Sequence, residues 1–177
     1  GGVIEQSGTL WNKLLSSRYA KECRFHEDIR YAEDTLFLAE YLLRSNRVVA
    51  TKDPLYYYRY NRAGNVVSSR LNDRHLDYIR ATGILINLLR QRGYNRIALE
   101  RGIDVAIRVL ALVTLGDKTQ QTYIESVKRL IENIYGDRFE LLHKSGIKPF
   151  AQYIILFFMK HTETLSVVLA KFALRLK

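Results

Sequence analysis

One cysteine (Cys23), two prolines and a single tryptophan in 177 residues exclude much at once. A lone thiol can form neither an intrachain disulfide nor a cysteine-based zinc site, which fits a reducing compartment. The four histidines, His26, His75, His143 and His161, are scattered, and none has a second ligand at metal spacing. There is no Ser-His-Asp order, no glycine-rich phosphate loop and no Asp-x-Asp. The longest uninterrupted apolar run, residues 153–159, is far shorter than the roughly 20 residues a membrane helix needs. The chain opens on Gly1-Gly2, so the lack of a signal peptide carries no information. Acid is the scarcer charge, with 18 Asp/Glu against 28 Lys/Arg and a net charge of +10. The surplus is uneven: residues 1–70 hold 11 bases and 8 acids, residues 71–177 hold 17 and 10. Such a surplus favours anionic partners: nucleic acid, phosphate groups or anionic lipid. With 47% hydrophobic and 26% charged residues, the chain has the make-up of an ordinary globular protein with a real core.

The apolar pattern predicts an α+β chain, mostly α. A short helix is expected over residues 10–15 and a polar loop over 24–30. Residues 33–44 carry Leu36, Phe37, Ala39, Tyr41, Leu42 and Leu43 as a broad helical face, with acids in the first turn and Arg44 in the last. Residues 48–50 and 55–60 read as short strands on β-branched and aromatic content, separated by the turn signal Asp53-Pro54. Near residues 70–73 the text changes. Asn72 or Asp73 can cap a helix running to about residue 92, ended by Gly93. Helices over 95–115 and 119–135 follow, closed by Gly116-Asp117 and Gly136-Asp137, and two shorter ones over 147–160 and 163–176. Short glycine-containing connections predict an antiparallel bundle. The predicted domains are therefore 1–71 and 72–177.

Three blocks can carry chemistry, and each has a plainer alternative. Glu33 and Asp34 offset the dipole at a helix start, or one of them faces a cleft and accepts a proton. Adjacent helical residues point about 100° apart, so the two cannot do the same job. Trp11 is a core anchor, or with Asn12 and Lys13 it forms an aromatic platform beside an amide and an ammonium suited to sugar hydroxyls and phosphates. Residues 56–60, Tyr-Tyr-Tyr-Arg-Tyr, make a half-buried aromatic strand, or Arg59 with Arg62 clamps a diphosphate.

Taken together, Leu10-Trp11-Asn12-Lys13-Leu14, Arg24-Phe25, Tyr31-Ala32-Glu33-Asp34-Thr35-Leu36-Phe37, Val48-Val49, Pro54-Leu55-Tyr56-Tyr57-Tyr58-Arg59 and Arg62-Ala63-Gly64 resemble the family 2 glycosyltransferases that build bacterial surface polysaccharides. The resemblance covers about residues 9–68. It implies the acceptor-side remnant of a GT-A α/β domain, followed by a C-terminal helical bundle of no recognised kind. It further implies inverting transfer, of hexosyltransferase type, from a nucleotide-sugar donor to a glycan or lipid-linked acceptor. Asp34 would be the base, supported by Glu33. Trp11, Asn12 and Lys13 would shape the acceptor side, and Arg59 or Arg62 would meet the leaving diphosphate. The divalent Mn or Mg of such enzymes is held by an Asp-x-Asp that this sequence lacks, so its ligands would precede residue 1, and this chain alone would be inactive. Gly64-Asn65 stands where the family often has Gly-Ser. The implied location is cytoplasmic, at the inner face of the plasma membrane.

Residues 147–177 interleave apolar runs with Lys148, Lys160, Lys171, Arg175 and Lys177. They fit a helix pair lying peripherally on an anionic membrane, or a buried bundle helix with solvated lysines. The rival for the whole chain is a non-catalytic basic helical module that docks to RNA, lipid or protein. The transferase reading expects no nucleic-acid partner.

Overall fold

The computed structural model describes residues 8–51, 53, 56–57, 71–114, 116–135 and 167–171. The chain divides into two compact units, Gly1–Ser68 and Ser69–Lys177. The described residues are mostly helical and include no strand.

In the first unit, α1 (Ser17–Ala20) is a single turn and α2 (Glu33–Arg44) is the main element. Glu33 and Asp34 occupy the first turn of α2 and Arg44 the last, matching charge to dipole at both ends. Leu36, Phe37 and Leu38 are all buried. Three consecutive positions sweep about 200° of a helix surface, so α2 is embedded rather than laid across the unit. A small core gathers Cys23, Phe37 and Tyr41, with Leu10, Leu15, Tyr19, Ala20 and Leu42 against it. Phe25 stacks on Phe37 at 4.6 Å, and Tyr19 meets Tyr41 edge-on at 6.1 Å, both within the range of favourable aromatic pairs.

Three expectations fail in this unit. Residues 10–15 are not helical. Asn12 takes φ 61°, which breaks a right-handed helix, and the Ser16 N–H donates to the Tyr41 hydroxyl at 2.7 Å instead of to a preceding turn. A helix starts only at Ser17. Residues 48–50 form no strand either. Val48 and Val49 are 49% and 69% exposed, and no described segment supplies a ladder, without which β-branched content decides nothing. Tyr56 and Tyr57 also lie in no strand, and Tyr57 is almost fully exposed at 96%. Residues 55 and 58–60 fall outside the described residues.

Among the described residues of the second unit, α3 (Asp73–Gln91), α4 (Asn95–Leu112) and α5 (Gln121–Tyr135) each pack on the other two. Asn72 caps α3: its side chain accepts from the Arg74 N–H at 3.1 Å, and the His75 ring closes a capping box in the place usually held by Glu or Gln. Gly93 and Gly116 supply positive φ after α3 and α4. Asp73, at the start of α3, acts on Tyr123 near the start of α5, while Arg90 near the end of α3 donates to the Asn133 and Ile134 carbonyls at 2.6 and 2.8 Å. α3 and α5 therefore run parallel, with α4 antiparallel to both. Along α4, Ala98, Leu99, Gly102, Ile103, Val105, Ala106, Ile107, Val109 and Leu110 are buried, which makes it the most enclosed helix of the three. α5 contributes Ile124, Val127, Leu130, Ile131 and Ile134 at helical spacing. Gly102 allows close approach: a Cβ there would lie 2.8 Å from Ile134 Cγ1 and 2.9 Å from Ile86 Cδ1.

Residues 167–171 are helical, with Val167 and Ala170 buried and Val168 exposed. The rest of the two helices expected over 147–160 and 163–176 lies outside the described residues. No helix among the described residues is long and apolar enough to cross a membrane.

Candidate functional site

The site is built on the N-terminus of α2. Its cap residue, Ala32, has no side-chain acceptor and sits in the left-handed region at φ 66°, ψ 18°. Alanine gains nothing from that conformation, which costs about 1–2 kcal/mol for a residue with a Cβ. The kink delivers Glu33 and Asp34 as the first two helical residues, both half-buried. Asp34 Oδ1 accepts the Thr35 N–H at 2.7 Å, which both orients the carboxylate and satisfies one of the free donors of the helix start. The Thr35 hydroxyl lies 3.1 Å from the Gly8 carbonyl oxygen and 3.4 Å from Asp34 Oδ1.

A second strained stretch lies beside it. Asn12, at φ 61°, turns the chain sharply, and the Lys13 ammonium folds back to donate to the Trp11 carbonyl at 3.4 Å. Asn bears the left-handed region better than most residues. The turn brings Lys13 within electrostatic reach of Asp34: burial pushes the ammonium below the usual lysine range, and the Asp34 carboxylate opposes that shift. Trp11 is 40% exposed, so it is not a core anchor, and its indole stacks on Tyr56 at 4.9 Å with the planes 18° apart. Next to Gly8, the Thr9 hydroxyl is the one buried side-chain polar atom without a hydrogen-bond partner among the described residues.

Trp11, Asn12, Lys13, Glu33 and Asp34 thus fall in one region of the first unit. Arg59 and Arg62 lie outside the described residues. Sequence reasoning missed Thr35, Gly8 and the role of Tyr56. Thr35 and Gly8 are 27 residues apart, and no local pattern announces their contact. Glu40 is occupied elsewhere in the unit, meeting His26 at 3.2 Å and Arg44 at 3.7 Å. The Cys23 thiol is buried, which raises its pKa above the usual value and makes it a poor nucleophile. Among the described residues no three His, Cys, Asp or Glu side chains gather into a metal-holding group.

A half-buried carboxylate, fixed through one oxygen and within electrostatic reach of an ammonium, can take a proton from a hydroxyl, and an exposed aromatic pair in the same unit can support a polyhydroxylated ring. No protein-family model matches the chain, and neither a curated protein nor a solved structure shows significant similarity to it.

Proposed function

We propose that the chain is the acceptor-side part of an inverting glycosyltransferase of the family 2, GT-A kind, with Asp34 as the catalytic base. In this reading a nucleotide-sugar is the donor and a glycan or lipid-linked hydroxyl the acceptor. The observation that carries it is the convergence of Asp34 with the Trp11-Asn12-Lys13 turn. Left-handed non-glycine backbone occurs among the described residues only at Asn12 and Ala32, one in each half of that convergence. Strain of this kind persists where surrounding structure holds it, and it clusters at sites of function.

Thr35 occupies Asp34 Oδ1, which leaves Oδ2 to take the proton of the acceptor hydroxyl. The oxygen so activated attacks the anomeric carbon as the nucleoside diphosphate leaves, and the anomeric configuration inverts. The face of Trp11, backed by Tyr56, supports the acceptor ring, and Lys13 holds a hydroxyl or phosphate oxygen beside the base. Glu33, the first residue of α2, points about 100° away from Asp34 and so has a different role from the base. No Asp-x-Asp in this sequence would hold the divalent Mn or Mg of such enzymes.

The test is turnover by the full-length protein that contains this chain, wild type against Asp34→Asn, over UDP-, GDP- and dTDP-sugars with Mn²⁺ or Mg²⁺. Loss of a general base predicts a fall of about 10²- to 10⁴-fold. Turnover unchanged by the substitution removes Asp34 from the mechanism. Saturable, steeply salt-dependent binding of RNA by a protein that turns over no donor would favour the basic-module alternative.

A further inference from the structure

Thr35 has two donors, and they reach the two halves of the site. Its backbone N–H fixes Asp34 Oδ1 at 2.7 Å. Its hydroxyl carries a single proton and lies nearer the Gly8 carbonyl, at 3.1 Å, than Asp34 Oδ1, at 3.4 Å. Gly8 precedes Trp11 by three residues, so the contact fixes where the Trp11-Asn12-Lys13 turn begins. Gly8 also packs so closely that an added Cβ would collide with the Thr35 hydroxyl and lie 3.2 Å from both its Cβ and its Cγ2. That atom set belongs to a short, branched side chain on a helix, which has little room to give way.

We infer that Thr35 is a positioning residue that ties the Trp11-Asn12-Lys13 turn to the N-terminus of α2 through the Gly8 carbonyl, and that the tie requires glycine at position 8. The inference rests on the proposed site for its catalytic meaning, but the tie itself is a matter of geometry and can be measured without a substrate. Lys13 is the reporter, because its desolvation and its exposure to the Asp34 charge both depend on where the turn sits.

The experiment follows the Lys13 side chain by NMR titration in this chain, with amide protection of α2 as the control for folding. Wild type and Thr35→Ser titrate below the usual lysine range. Thr35→Val, which keeps the shape and loses the hydroxyl, and Gly8→Ala, which keeps Thr35 and displaces it, both return Lys13 toward about 10.4, the ordinary lysine value. The two variants break the tie from opposite sides, so the result does not hang on either alone. Wild-type titration in both, with α2 intact, overturns the inference. In the full-length protein, Thr35→Val lowers kcat by about 10- to 100-fold at unchanged donor KM, and Thr35→Ser restores it. Wild-type turnover by Asp34→Asn withdraws the base and leaves the tie standing on its titration. Loss of turnover in Asp34→Asn with full kcat in Thr35→Val removes the positioning role alone.

Discussion

Ala32 is the residue whose backbone most contradicts its side chain. A left-handed alanine at a helix start has neither the freedom of glycine nor the hydrogen-bonding oxygen of Ser, Asp or Asn. Ala32→Gly is expected to leave stability unchanged or raise it by up to about 1 kcal/mol, since strain is relieved while the unfolded chain gains entropy. Ala32→Val is expected to lower it by more than about 1 kcal/mol, because β-branching worsens a positive φ. Urea unfolding of both variants checks the pair, and a stabilising valine would mean that the left-handed geometry is absent in solution. Gly102 offers the opposite case, where space rather than φ decides. Its missing Cβ admits Ile134 and Ile86, so Gly102→Ala overpacks the α3–α4–α5 contact and is expected to cost about 1–3 kcal/mol in the same assay. The candidate site divides along the same line. Asp34, Glu33 and the Trp11-Asn12-Lys13 block can be picked out in the sequence because each is a short run of unusual chemistry. Thr35 and Gly8 cannot, because their meaning lies in a contact across 27 residues.

At the scale of elements, the sequence was most legible where several local signals agree. α2, α3 and α5 each combine helical spacing with a charge, cap or glycine at the ends, and they appear within a residue or two of where those signals place them. The expected helix over 10–15 and strand over 48–50 rested on one signal each. The first lost to the Asn12 turn and the second to the absence of a pairing partner. A cap can also be tested by pH. Asp117 precedes the 3-10 turn Lys118–Gln120 and accepts from the Thr119 hydroxyl at 2.6 Å, the Thr119 N–H at 2.9 Å and the Gln120 amide at 2.7 Å. Those bonds favour the ionised form and hold its pKa below the usual carboxylate value. A depressed folded pKa means that the stabilisation is complete above the unfolded value of about 3.9 and is lost as pH falls through the lower folded one. The difference in thermal midpoint between wild type and Asp117→Ala is therefore expected to be flat from neutral pH down to about 5, and to shrink below about 4. A difference that instead grows in acid would show that the carboxylate is not what caps the turn.

For the whole molecule the dominant fact is a net charge of +10. At an ionic strength of about 0.01 M the screening length is about 30 Å, so most of the surplus repels itself across each unit, and at 0.1 M it falls to about 10 Å. Two helix pairs among the described residues offer little against this. Arg96–Glu100 and Arg108–Asp104 are partly exposed i,i+4 pairs, each contributing about 0.3–0.5 kcal/mol and subject to the same screening. Added NaCl is thus expected to raise the thermal midpoint between these two ionic strengths, and a fall would mean that ion pairing outweighs the surplus. The same titration separates screening from binding. Phosphate at equal ionic strength should match chloride if the charge acts only as a field. An extra rise that saturates with phosphate concentration would be linkage to a bound anion. If that extra rise disappears in Lys13→Ala, the anion sits beside Asp34, where the proposed transfer places a phosphate or hydroxyl oxygen. If it survives, the surplus serves an anionic partner elsewhere on the chain.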